Sequence, residues 1–81
     1  MKPLHKLNPG EKAFIVDLRH PRLSEKLLAL GIFPGAMVEV KEPGPNSNCM
    51  TVHINNHDYN IYRHAAATII THHVSLEFGL N

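Results

Sequence analysis

Cysteine and tryptophan are scarce in this sequence, which limits how the chain can be stabilised. Its 81 residues include one cysteine, Cys49, no tryptophan, three phenylalanines and two tyrosines. A single cysteine excludes an internal disulfide framework and fits a reducing compartment. No paired histidine or aspartate marks Cys49 as a nucleophile, so a plain thiol at a strand edge is predicted. We therefore expect an aliphatic core in a cytoplasmic protein.

Long apolar runs are also missing. The longest are far shorter than the roughly 20 residues that a membrane-spanning helix requires, and no signal-peptide segment is recognisable. The sequence therefore predicts no insertion into a membrane.

An excess of charge of one sign is absent as well. Eight lysines and arginines face seven acidic residues, for a net charge of +1, and neither sign forms a run. Proteins that bind nucleic acids usually carry a basic stripe that neutralises several phosphates. An RNA-binding barrel is thus a weak alternative, and we expect no nucleic-acid partner.

Sequence motifs for catalysis are lacking too. No glycine-rich phosphate loop is present. The carboxylates of Asp17, Glu25, Glu39 and Asp58 fall on predicted polar faces, where no buried neighbour would shift a pKa. The sequence predicts a protein that is not an enzyme.

Apolar residues are plentiful enough for one small globular domain. Hydrophobic residues make up 43% of the chain and charged residues 19%, a balance typical of folded proteins. A chain of this size forms about one domain and buries only about 60% of the surface that its unfolded form exposes. The core is therefore expected to be thin, and a bound partner would add stability.

Residues 27–35 join a predicted helix to a predicted strand. Gly31 lies where a helix C-cap needs positive φ, and the Pro-Gly pair that follows has the composition of a tight turn. Between the glycines lie two large apolar residues, Ile32 and Phe33. They either fold onto the core or form an exposed contact surface.

The remaining pattern predicts a mostly β domain. Leucines at Leu23, Leu27 and Leu30 have helical spacing, which predicts a helix over 22–30 with Pro21 at its first position. Alternating or β-branched runs predict strands at 11–18, 37–41, 50–54, 59–62 and 68–71, with a single helical turn at 63–67. Apolar residues alternate with other residues again over 72–81, which fits either a sixth strand or a tail.

The third and fourth predicted strands form a hairpin. Asn55 and Asn56 tolerate the left-handed φ that a two-residue turn demands. On that register, Val52, Ile54, Tyr59 and Ile61 share the inner face, while His53 and Asn60 lie outside.

The order and spacing of these elements resemble the FeoA family of bacterial ferrous iron transport. The residues that carry the resemblance are Leu4, Leu7, Gly10, Ala13, the stretch 27–35, Val52, Ile54, Ile61, Arg63, Ala66 and Ile69. The resemblance implies a small SH3-like barrel of about five strands, with one α-helix between the first two strands and a short helical turn before the last. It places the domain at residues 1–71 and leaves 72–81 as a C-terminal extension.

The resemblance also implies a function by contact. FeoA proteins are accessory proteins that act with FeoB, the membrane transporter for Fe(II), so this chain is expected to dock on a cytoplasmic part of FeoB without catalysis or a cofactor. The predicted contact surface comprises Leu27, Leu30, Ile32, Phe33 and Pro34. Within it we expect Leu27 and Leu30 to reach the core and Phe33 to face the partner. Self-association stays open.

Seven histidines suggest an alternative function. They are His5, His20, His53, His57, His64, His72 and His73. Imidazole binds Fe(II), Zn(II) and Ni(II), so a metal-binding iron chaperone or sensor would use His53, His57 and His64. A metal site needs three or four ligands within about 2.0 to 2.3 Å of one ion, and no pair here has helical i, i+4 spacing. Solvated surface histidines are the simpler interpretation.

Overall fold

A computed structural model describes residues 1–43 and 48–73. Its six strands are β1 (Lys2–Pro3), β2 (Lys12–Leu18), β3 (Met37–Pro43), β4 (Cys49–Ile54), β5 (His57–Tyr62) and β6 (Ile69–His73). Two α-helices, α1 (Pro21–Ala29) and α2 (Arg63–Ala66), and a 3₁₀ helix (Leu4–Lys6) connect them. The strands form one antiparallel sheet in the order β1-β6-β2-β3-β4-β5.

Two bulges bend this sheet. The strand register shifts between Ile15 and Asp17 in β2 and between Val40 and Glu42 in β3. An extra residue in one strand increases local twist and bends that strand. These bends let the sheet curl into a half-barrel, in which β2 pairs with β6 on one side and with β3 on the other.

The core is aliphatic, as the composition predicts. It consists of Leu4, Leu7, Ala13, Ile15, Leu27, Ile32, Val38, Val40, Met50, Val52, Ile54, Ala66 and Ile69. Strand β4 shows why these residues are inside: Met50, Val52 and Ile54 are buried, whereas the alternating Thr51 and His53 are half-buried. Cys49 is also buried, at the start of β4, so its thiol is shielded from a second copy of the chain.

The hairpin prediction is confirmed. Asn55 and Asn56 have φ of 53° and 66°, and Ile54 pairs directly with His57 across the two-residue turn. Val52 and Ile54 are buried, and Tyr59 and Ile61 pack against the core as partly buried residues.

The mostly β prediction is confirmed, but the structure has six strands rather than about five. The added strand is β1, where Lys2 pairs with Thr71 and Pro3 pairs with Ile70. The Thr71 hydroxyl donates to the Lys2 carbonyl oxygen at 2.8 Å. Two residues are too few to show alternation, so the sequence pattern could not reveal this strand. As a result, α1 lies between the second and third strands.

The last predicted segment is partly described. His72 and His73 extend β6 and pair with Phe14 and Ala13 of β2. The rest of the predicted C-terminal extension, 74–81, lies outside the described residues.

Candidate interaction surface

The C-terminus of α1 is closed by a Schellman motif, which determines which apolar residues are buried. The Ile32 N–H donates to the Leu27 carbonyl oxygen at 2.8 Å, and the Gly31 N–H donates to that of Leu28 at 2.9 Å. Gly31 has φ of 80°, the left-handed conformation that this motif needs. The motif also brings the residue after the glycine next to the residue three positions before the cap, and here those residues are Ile32 and Leu27.

The chain then turns sharply into β3. The Ala36 N–H donates to the Phe33 carbonyl oxygen at 3.0 Å across Pro34 and Gly35, and Gly35 has φ of 102°. This geometry confirms the predicted Pro-Gly turn. The turn is held against β2 because the Gly35 N–H donates to the Ile15 carbonyl oxygen at 2.7 Å.

A side chain from the β4–β5 hairpin adds a third restraint. The Asn55 side-chain amide donates to the Gly31 carbonyl oxygen at 3.0 Å, although the two residues are 24 positions apart. The segment between α1 and β3 is therefore an ordered elbow, tied to helix, sheet and hairpin.

Three large apolar side chains are exposed at the elbow and in the last turn of α1. Leu28 is 51% exposed, Leu30 is 53% exposed and Phe33 is 51% exposed. Leu27 and Ile32 are 6% and 1% exposed. We call Leu28, Leu30 and Phe33 the elbow surface.

The predicted contact residues thus divide into two groups. Phe33 and Pro34 are exposed, as a contact role requires, while Leu27 and Ile32 lie in the core beneath them. The expectation that Leu30 reaches the core is wrong. Leu30 is the C-cap residue, with φ of −90° and ψ of 2°, and it is exposed, whereas Ile32, two residues later, is buried. Leu28 was not among the predicted contact residues, although its position off the leucine stripe indicates exposure.

Replacing Gly31 tests whether its backbone conformation maintains the elbow. Gly31→Ala is expected to lower the free energy of unfolding by about 1–2 kcal/mol, because a side chain disfavours left-handed φ. A clash is not the cause, since a Cβ would lie 3.7 Å from the Asn55 amide nitrogen, an ordinary contact. Urea denaturation measures the change. Gly31→Asn should recover part of the loss, and an alanine variant as stable as the parent would contradict this account.

A groove adjoins the elbow surface between α1 and the edge strand β5. Its volume is about 260 Å³, and its lining includes Leu23, Lys26, Leu27, Leu30, Ile32, Tyr59, Asn60, Ile61, Tyr62 and Ala65. Most of these side chains are apolar. We call this feature the helix–strand groove. No local sequence pattern indicates this groove, because its two walls lie about 30 residues apart in the chain.

The structure does not gather the three metal-ligand candidates. His53 Nδ1 lies 2.6 Å from Asp58 Oδ1. His57 pairs with Ile54 while His53 pairs with Asp58, so the two histidines lie on opposite faces of the hairpin. His64 stacks on Tyr62, with ring centroids 5.6 Å apart. Among residues 1–43 and 48–73, no three histidine, cysteine or acidic side chains converge on a common point.

His5 has an unusual environment in the 3₁₀ helix. Its Nδ1 is buried without a hydrogen-bond partner. Burial, and then the positive charges of Lys6 and Arg63, lower the pKa of His5 below 6.5. The folded protein therefore favours neutral His5.

This shift predicts a loss of stability in mild acid. As the pH falls through 6.5, the unfolded chain binds a proton at His5 that the folded chain accepts only at lower pH, so the free energy of unfolding decreases. The contribution is complete above pH 6.5 and declines until the pH passes the lowered pKa. His5→Phe should remove this part of the pH dependence in urea denaturation. The prediction fails if both proteins lose stability equally between pH 7 and 5.

Fold and surface together define a small antiparallel β domain that presents an ordered, partly apolar surface beside a groove. In the part of the chain that the structure describes, no helix is long and apolar enough to cross a membrane. The FeoA domain model matches residues 2–71. The chain therefore belongs to the FeoA family, which is associated with ferrous iron transport.

Solved structures agree with this assignment. The FeoA protein from Chlorobium tepidum superposes with a TM-score of 0.84 at 26% identity, covering 99% of this chain and 76% of that one. Iron(II) transport protein A from Clostridium thermocellum gives a TM-score of 0.79 at 31% identity, over 91% of this chain and 46% of the other. No curated protein sequence matches the chain.

The same fold occurs in a different kind of protein. A manganese-dependent transcriptional repressor superposes with a TM-score of 0.77 at 15% identity, covering 90% of this chain and 41% of the repressor. At that identity the similarity concerns the fold alone.

Proposed function

We propose that this protein is a cytoplasmic, non-catalytic module that docks on FeoB and modulates it during ferrous iron uptake. Membership of the FeoA family supports the link to iron transport. The observation that carries the docking proposal is the elbow surface, where Leu28, Leu30 and Phe33 are each about half exposed on an ordered segment. Large apolar side chains that are exposed on an ordered segment are candidates for a protein contact surface.

Contact at the elbow surface would have a clear energetic benefit. Burying a leucine or phenylalanine side chain contributes about 1.5–3 kcal/mol relative to full exposure. Because these side chains are already half buried, a partner gains part of that amount from each. The Schellman motif and the Asn55 hydrogen bond hold the backbone in place, so little order has to be created on binding.

The surface carboxylates support a function without catalysis. Asp17 pairs with Arg19 at 3.3 Å and Asp58 pairs with His53 at 2.6 Å. Both contacts lie at the surface, where such pairs are common and contribute little to stability. The proposal therefore assigns the protein a binding role and no reaction of its own.

Co-purification with FeoB tests the proposal. Tagged protein would be mixed with detergent-solubilised FeoB from the same organism, with and without guanine or adenine nucleotide. Retention of FeoB above the level of an unrelated tagged domain is expected in at least one nucleotide condition. Absence of retention in all of them would refute docking.

A further inference from the structure

A basic pocket lies between the start of α1 and α2. Its volume is about 260 Å³, and its polar lining comprises His20, Arg22, Lys26, His64 and Thr68. No aspartate or glutamate lines it. The pocket therefore has a positive potential within a chain whose net charge is only +1.

The two strong cations are placed in a way that folding does not favour. Arg22 and Lys26 are four residues apart on α1, a spacing at which like charges repel each other, and Glu25, which lies between them in the sequence, does not line the pocket. In the part of the chain that the structure describes, neither Arg22 nor Lys26 takes part in any of the ion-pair contacts found. An external anion would relieve this repulsion.

The histidines of the pocket can also donate hydrogen bonds. His20 caps α1, and its Nδ1 accepts from the Leu23 N–H at 3.3 Å. With Nδ1 accepting, the proton of a neutral ring is on Nε2, which is then a donor. His64 is held by stacking on Tyr62.

The basic pocket and the helix–strand groove adjoin each other. Leu23, Lys26 and Ala65 line both. The stacked pair of Tyr62 and His64 also joins them, because Tyr62 lines the groove and His64 lines the pocket. The apolar helix–strand groove thus lies beside the positively charged side chains of the basic pocket.

One wall of the helix–strand groove is an edge strand. β5 is the last strand of the sheet and, among the described strands, pairs only with β4. An edge strand offers main-chain donors and acceptors to an added strand, and pockets beside it select side chains. An occupant that lies along β5 would therefore be extended.

We propose that the helix–strand groove and the basic pocket form one recognition site for an extended acidic segment of a protein partner. An apolar side chain of that segment fills the groove between α1 and β5. A carboxylate next to it binds Arg22 and Lys26. This inference rests on the proposed docking function, and it names the chemistry of the FeoB segment that would be recognised.

The lining favours a peptide over nucleic acid. Charge complementarity requires an anion at the pocket, but the adjoining groove is mostly aliphatic and offers few donors to a phosphate backbone. An acidic peptide fits both the groove and the pocket, because it can carry an apolar side chain and a carboxylate within a few residues of each other.

Reversing the pocket's charge tests the site. In Arg22→Glu/Lys26→Glu, the dissociation constant for the cytoplasmic part of FeoB should rise about tenfold or more, because an attractive contact becomes repulsive. Lys2→Glu/Lys41→Glu, which makes the same change in net charge at two exposed lysines outside the site, should stay within about twofold of the parent. Circular dichroism on heating verifies that both variants fold.

Peptides then identify the segment. Overlapping peptides that tile the cytoplasmic sequence of FeoB would be assayed by fluorescence anisotropy against the parent and the charge-reversed protein. Peptides with a carboxylate beside an apolar residue should bind the parent, and a Glu→Lys version of such a peptide should regain binding to Arg22→Glu/Lys26→Glu. This rescue reports direct contact, which a structural effect of the substitutions would not produce.

The possible outcomes separate the two proposals. If the parent does not retain FeoB, the docking function fails and this inference fails with it. If FeoB binds the parent and the charge-reversed variant equally, docking stands and the recognition site is overturned. It is also overturned if the variant loses binding to a single-stranded RNA probe while its affinity for FeoB is unchanged.

Discussion

Phe33→Asp is expected to abolish retention of the protein by FeoB in a pull-down. Phe33 is 51% exposed and directly precedes the turn formed by Pro34 and Gly35. A buried aromatic anchor at an interface commonly contributes 2 kcal/mol or more, which corresponds to a loss of affinity of about 30-fold. A carboxylate at the same place adds a desolvation cost.

Phe14→Asp is the matched control for this variant. Phe14 is also an exposed phenylalanine, at 39%, but it lies on β2, where it pairs with Met37 of β3. The control should keep FeoB binding, and both proteins should show the parent's circular dichroism spectrum. If folded Phe33→Asp still binds FeoB with the parent's affinity, the elbow surface is not the docking site.

Ile32→Ala is expected to lower the free energy of unfolding by about 2–5 kcal/mol, the range for truncating a buried aliphatic side chain. Ile32 is only 1% exposed and belongs to the core cluster that includes Leu27. For a domain of this size such a loss is a large part of the total stability. Urea denaturation monitored by circular dichroism measures it.

Leu30→Ala provides the contrast. Leu30 is 53% exposed, so its truncation should change the free energy of unfolding by about 0.5 kcal/mol or less. It should instead weaken binding to FeoB, since Leu30 lines the helix–strand groove. Equal destabilisation by Leu30→Ala and Ile32→Ala would mean that the assignment of one to the surface and the other to the core is wrong.

Local sequence signals predicted most elements of the fold. Pro21 begins α1, Gly31 ends it, and the Asn55-Asn56 pair turns the hairpin, as expected from the φ that each residue type prefers. The two features that were not predicted, strand β1 and the exposure of Leu30, also have physical causes. β1 is too short to show a period, and Leu30 has the helical spacing of Leu27 but lies at the cap, where the chain has already left the helix.

The candidate site was only partly predictable. Ile32 and Phe33 were identified because two large apolar residues between glycines either fold onto the core or form a contact surface. The burial of Ile32 and the exposure of Phe33 depend on the hydrogen bonds that close the Schellman motif. No local sequence pattern indicates the helix–strand groove, because Leu23 and Tyr62 are far apart in the chain and come close only in the folded structure.

By itself, the sequence determined the class of the protein: a small aliphatic β domain whose turns and helix ends are set by glycine, proline and asparagine, because backbone preference acts within a few residues. Only the tertiary structure decided which side chains share a surface. It placed Arg22 and Lys26 in the same pocket as His64, while it kept His53 and His57 on opposite faces of one hairpin. Charge and ligand clusters depend on distances across the fold, and the order of residues along the chain does not specify those distances.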